Sequence, residues 1–139
     1  MTQDRLGSKR MNQNSLSSQR GASVTSIILI LIIIVIAGKL TIAIVPAQVG
    51  DYQLTELLAT QLKEANSSNE TSRQFVERVN RQLSINAYYD TTAEDIFTFT
   101  NKKTGQLAIY KNYQETNNLF ANVDIVNRFE GDINAASAE

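Results

Sequence analysis

From Val24 to Val45 the chain reads VTSIILILIIIVIAGKLTIAIV, a run that is apolar on every helical face and interrupted by one charge, Lys39. As a helix rising 1.5 Å per residue it measures about 33 Å, which matches the hydrocarbon thickness of a bilayer. The competing reading, a buried core helix, needs a body large enough to surround it. About 90 residues follow the run, near the size where a domain's stability is marginal. So small a body cannot enclose a helix without a polar face. A transmembrane helix over residues 21–46 is therefore predicted.

Lys39 sets the cost of that helix. A cation at a span's centre opposes insertion by about 2.5 to 3.5 kcal/mol, and each Val, Ile or Leu favours it by about 0.3 to 0.6 kcal/mol. The Val, Ile and Leu residues from Val24 to Ile36 outweigh the lysine. Its stem can also carry the ammonium toward the nearer interface. The functional alternative is a buried charge matched to a carboxylate on a partner helix. We read snorkelling. Val45-Pro46-Ala47 loosely resembles a signal cleavage site, but secretory apolar regions run about 7 to 15 residues and this one is longer and holds a lysine. An uncleaved signal anchor is the expectation.

The net charge of −1 conceals an asymmetry across the run. Arg5, Lys9, Arg10 and Arg20 face only Asp4 in residues 1–20, a net +3, whereas residues 46–139 carry a net −5. Positive flanks stay on the cytoplasmic side of a membrane. Residues 1–20 are accordingly expected as a cytoplasmic tail and residues 47–130 as a small periplasmic domain of a bacterial inner-membrane protein. An acidic body does not seek nucleic acid.

Behind the anchor, Pro46 and Gly50 punctuate the chain and Asp51 can cap the next helix. Leu54, Leu57, Leu58 and Leu62 recur at helical spacing, so residues 51–65 read as a first amphipathic helix. Asn66 to Asn69 form a polar break, Thr71 and Gln74 fit a capping box, and Phe75, Val79 and Leu83 define a second helix over residues 72–84. The period then changes to two. Residues 95–101 and 106–114 alternate around a turn ending in Gly105. A polar turn at Glu115 to Asn118 leads to a third strand over residues 119–129, with Leu119, Ala121, Val123 and Ile125 on one face. The fold class predicted is α+β: one transmembrane helix, two amphipathic helices and a three-stranded antiparallel meander, with residues 131–139 as a loose tail.

No catalytic or cofactor motif is present, and the chain has neither histidine nor cysteine. The commonest general base, the commonest transition-metal ligand and any thiolate chemistry are thereby removed. Glu94 and Asp95 are adjacent carboxylates that read as a solvated turn rather than a metal or proton site. Serines have no histidine to activate them, and no spacing supports a serine with a lysine base. Tyr88, Tyr89, Tyr110 and Tyr113 read as core-rim packing before they read as a stacking platform. The triplets Asn66-Ser67-Ser68 and Asn69-Glu70-Thr71 fit N-glycosylation but act as a plain polar loop in a bacterium. We expect no enzyme activity, no catalytic or metal site, no cofactor and no small-molecule substrate. The expected partners are the lipid bilayer and another envelope protein or a second copy of the chain.

Two stretches carry a resemblance. Gln19-Arg20-Gly21-Ala22-Ser23 ahead of the apolar helix, and Tyr113-Gln114-Glu115 with Leu119-Phe120-Ala121-Asn122-Val123-Asp124-Ile125-Val126 and Phe129-Glu130, resemble the proteobacterial family called domain of unknown function 4845. The resemblance covers most of residues 19–130 and implies a small protein with one N-terminal span, a short body and no established activity. The first string also resembles the start of type IV prepilins and pseudopilins, which implies cleavage after Gly21 and an apolar helix continuing into a sheet-bearing head. That family usually has Glu at the fifth mature position, where this chain has Ser26.

Overall fold

The computed structural model describes residues 23–135, so the basic tail, the Gly21–Ala22 junction and residues 136–139 lie outside the described residues. A single helix, α1 (Val24–Ser67), contains both the apolar run and the first amphipathic segment. The break expected at Pro46 and Gly50 does not occur, and Asp51 is mid-helix rather than a cap. Energetics explain why. A proline inside a helix costs about 3 kcal/mol. Leu54, Leu58 and Leu62 are all buried on α1, each stabilising by about 1.5 to 3 kcal/mol. The buried stripe runs Ala43, Ala47, Leu54, Leu58, Leu62, Ala65, at spacings that keep one helix face against the sheet across the proline.

The turn at the proline is also held from outside. The side-chain amides of Asn117 and Asn127 both donate to the Ala43 carbonyl, at 3.3 and 3.2 Å. Carbonyls one turn before a helical proline are displaced from their usual partners, and two amides fixed on neighbouring strands answer that disturbance.

Helix α2 (Ser72–Ile85) begins with the anticipated capping box at Thr71 and Gln74 and buries Phe75, Val79 and Leu83. Arg78 ties it to α1 by an ion pair with Glu64, at 2.8 Å, and to the α1–α2 connection by one with Glu70. A short helix that sequence reading missed, α3 (Ala93–Ile96), comes next. Its start is a second capping box, in which the Asp95 carboxylate accepts from the Thr92 amide at 2.9 Å and from the Thr92 hydroxyl at 2.6 Å. Those bonds, the hydroxyl's first, hold the Asp95 carboxyl below its ordinary pKa. Asp95 is thus a helix cap.

The sheet is an antiparallel meander in the order β1 (Phe97–Asn101), β2 (Ala108–Phe120), β3 (Val123–Ile133). Phe75, Phe97 and Phe99 interlock with ring centroids 5.6 to 5.9 Å apart. Around them Leu58, Leu62, Val79, Leu83, Ile96, Leu107 and Ile109 complete the core. Asn66 clamps α1 to the sheet: its side chain accepts from the Leu107 amide at 2.7 Å and donates to the Leu107 carbonyl at 3.0 Å. That committed amide nitrogen is the atom a glycan would need.

Three boundaries differ from expectation. The first strand, predicted from residue 95, starts at Phe97 because the Thr92–Asp95 cap holds residues 95–96 in α3. Residues 115–118, predicted as a turn, continue β2, and the chain reverses instead at Ala121–Asn122, with Phe120 paired to Val123. Residues 131–133, predicted as loose tail, extend β3; Gly131 pairs with Lys111 and Ile133 is buried. The consequence is a long two-stranded ribbon. β1 pairs with β2 only from Ala108 to Lys111, so beyond that point β2 and β3 continue alone alongside α1.

Candidate functional groove and its buried ion pair

Where β1 would continue to pair with β2, the chain has curled into α3. The Phe97–Lys111 rung is the last between the two strands, and the Thr92–Asp95 cap turns residues 93–96 away from the sheet. From Asn112 onward the edge of β2 has no strand partner among the described residues. A groove of about 850 Å³ lies along this edge. Pro46, Gly50 and Leu54 of α1 form one wall, Tyr88, Asp90, Thr91 and Asp95 another, and Asn112 to Glu115 the strand side, with Arg128 and Glu130 beyond. The Tyr88 phenol packs over Gly50, where an added Cβ would meet its oxygen at 3.8 Å, an ordinary van der Waals contact.

Charge in the groove is mostly negative. Asp90, Asp95, Glu115 and Glu130 line it against Arg128. Of the four tyrosines considered together, Tyr88 and Tyr113 line the groove and pack on the core, while Tyr89 is exposed; neither Tyr89 nor Tyr110 lines it. They make no common platform. Glu94 lies outside the groove and lines a separate hollow with Arg73 and Lys102.

Beneath the groove is a polar cluster without a sequence signature. Lys111 is buried on the inner face of β2, and its ammonium donates to the Asp51 carboxylate and, at 2.8 Å, to the Thr55 hydroxyl. Tyr113 donates its phenol to the same Asp51 oxygen at 3.1 Å. The Phe129 ring closes the cluster, 5.1 Å from the Tyr113 ring and 5.8 Å from the Lys111 ammonium. Burial of the phenol raises the Tyr113 pKa, and the negative charge of Asp51 and the bond to it raise it further. A buried lysine needs a paired carboxylate, and Asp51, one turn before Leu54 on α1, supplies it. The alternation of β2 marks Lys111 as inward-facing, and that is the sole hint of the cluster in the sequence. Among the described residues no group of three or more metal-ligating side chains converges.

Removing one partner of a buried ion pair leaves an uncompensated charge, at a cost of about 3 to 5 kcal/mol. Lys111→Met and Asp51→Leu should each lower stability by about that much, and the double variant should recover most of the loss, as read by chemical denaturation in detergent micelles. The phenol gives a pH signature. Tyr113 holds its proton more tightly folded than unfolded, so its contribution is fully present below pH of about 10 and is lost as pH rises beyond that, where the unfolded phenol ionises first. Alkaline destabilisation should be shallower in Tyr113→Phe than in the parent, and an ultraviolet titration of the folded variant should lack the last phenol to ionise.

Comparison with curated proteins and with solved structures finds no match. The model of one family, described as Domain of unknown function (DUF4845), matches residues 44–129, from the proline turn of α1 through the groove to Phe129, and the chain belongs to that family.

Proposed function

We propose that this chain is a non-enzymatic, single-pass inner-membrane protein whose periplasmic body takes an extended, basic segment of another envelope protein into the groove beside β2. The unpaired β2 edge from Asn112 to Glu115 carries this reading. A strand edge offers backbone donors and acceptors to any extended peptide, and adding a strand is a recurrent mode of peptide recognition. The four carboxylates around the edge favour a cationic occupant. The anchor rests on α1, which is long and apolar enough to cross a bilayer and leaves Ile27 to Val35 exposed in the absence of one. The positive N-terminal flank orients it.

The absence of cysteine from the sequence makes the test direct. With a single cysteine at Gln114→Cys, a membrane-impermeant maleimide should label intact spheroplasts, whereas Ser8→Cys should react only after lysis. The reverse pattern removes the periplasmic assignment. A photocrosslinking side chain at Gln114 should then capture a discrete envelope protein that the same group at exposed Thr60 does not. Equal capture at both positions, or none at Gln114, refutes the groove.

A second reading is favoured by the unbroken course of α1, an apolar helix running into a sheet-bearing head as in type IV pilins and pseudopilins. Ser26 in place of the usual Glu weighs against it. N-terminal sequencing decides: a mature chain starting at Ala22 means processing and a pilin-like assembly subunit, and an intact tail means a simple anchor.

A further inference from the structure

The β2–β3 ribbon does not stop at the edge of the body. At its tip, Phe120 joins Leu31, Ile32, Val35 and Ile36 of α1 in lining a hollow of about 340 Å³ with no polar lining residue. These four helix residues belong to the apolar run and are exposed, as is Phe120 itself. All four lie N-terminal to Lys39. With the membrane surface at Lys39, whose ammonium meets the base of the tip, Phe120 is on its lipid side. We infer that the tip of the β2–β3 hairpin, Leu119 to Val123, is a second membrane contact that dips into the bilayer beside the helix; this rests on the reading of α1 as the span.

A hairpin end entering lipid faces one objection: backbone carbonyls of a turn have no water to bond there. The tip answers it with its own side chains. The Lys39 ammonium donates to the Leu119 carbonyl at 3.1 Å, and the Asn118 amide donates to the Ala121 carbonyl at 3.0 Å. The same Asn118 amide reaches the Asp124 carboxylate at 2.8 Å. The ammonium sits 4.9 Å from the centre of the Phe120 ring, an arrangement that strengthens when water is removed. Lys39 is therefore not left to find the interface unaided; the hairpin brings a carbonyl and an aromatic face to it. Val123, opposite Phe120 across the turn, is exposed and apolar, and adds to the surface offered to acyl chains. Asn118, Asn122 and Asp124 ring the tip with polar groups suited to headgroup depth.

The chain has no tryptophan, so single-tryptophan variants report on position without background. The full chain carrying Phe120→Trp, Ile33→Trp or Tyr89→Trp is reconstituted into phosphatidylcholine–phosphatidylglycerol vesicles with brominated acyl chains, and its circular dichroism is matched to the parent. Expected is loss of emission by bromine quenching and a blue shift for Phe120→Trp and Ile33→Trp, with neither for Tyr89→Trp, whose position is exposed on the loop before α3. Quenching at position 33 without quenching at position 120 overturns the inference and leaves the span standing. No quenching at either position overturns both. A Phe120→Trp chain whose circular dichroism departs from the parent overturns it as well if Val123→Trp, on the same tip, escapes quenching.

Discussion

Continuity of α1 through Pro46 is the constraint on which the rest of the architecture depends. Because the helix does not end there, the apolar run and the core stripe share one rigid axis, and the sheet that packs on residues 54–65 is held in a fixed relation to residues 24–45. A flexible joint at Gly50 would have left the body free to tumble. The cost of the internal proline is met by burial on one side and by the amides of Asn117 and Asn127 at the Ala43 carbonyl. Those two asparagines lie on different strands, so the helix holds the ribbon together at this level as much as the ribbon holds the helix.

Polar contacts along the ribbon set its register against α1. Lys111 meets Asp51, Asn117 meets Ala43, and Leu119 meets Lys39. A helix rises 1.5 Å per residue and a strand about 3.3 Å. From Asp51 to Ala43 α1 advances about 12 Å while β2 advances about 20 Å from Lys111 to Asn117, so the strand crosses the helix obliquely and the long lysine stem takes up part of the difference. From Ala43 to Lys39 and from Asn117 to Leu119 the two advances are about 6 and about 7 Å, and the elements run alongside each other. The register shift between Asn118 and Phe120 falls where that alongside course ends and the chain must turn.

Periodicity in the sequence is sufficient for the elements with one buried face. The stripe Leu54, Leu58, Leu62, the Thr71–Gln74 cap of α2 and the hairpin through Gly105 are all legible, because each is decided by local chemistry. The departures have a common physical source. Pro46 and Gly50 are helix breakers by propensity, and tertiary packing overrides them. Glu115 to Asn118 look like a turn because they are polar, but a two-stranded ribbon exposes one face of each strand to water and needs polar residues there. The real turn places Ala121 at φ +43°, a conformation normally given to Gly, Asn or Asp. No composition rule points to alanine. The candidate groove is illegible for a different reason: it is made by a strand that is absent. Only the Thr92–Asp95 cap, read as a helix start, would show that the chain leaves the sheet before β2 is fully paired.

β2 is also the element that joins the groove to the ribbon tip. Its outer edge from Asn112 to Glu115 borders the groove, its inner face carries Lys111 and Tyr113 onto Asp51, and its end carries Leu119 onto Lys39. A segment pairing with that edge would immobilise the backbone of the strand whose side chains anchor both to the helix. It would do so without rearranging the apolar core, since that core lies mainly between α1, α2 and the β1-paired part of the sheet. The buried ion pair is suited to this arrangement. A hydrophobic replacement would stabilise comparably, whereas Lys111 with Asp51 and Thr55 accepts only one strand register, because a slip of one residue would turn the lysine out and leave Asp51 unanswered. A fixed register at Lys111 in turn fixes which backbone groups of Asn112 to Glu115 face the groove, and which carbonyl reaches Lys39 at the far end of the strand.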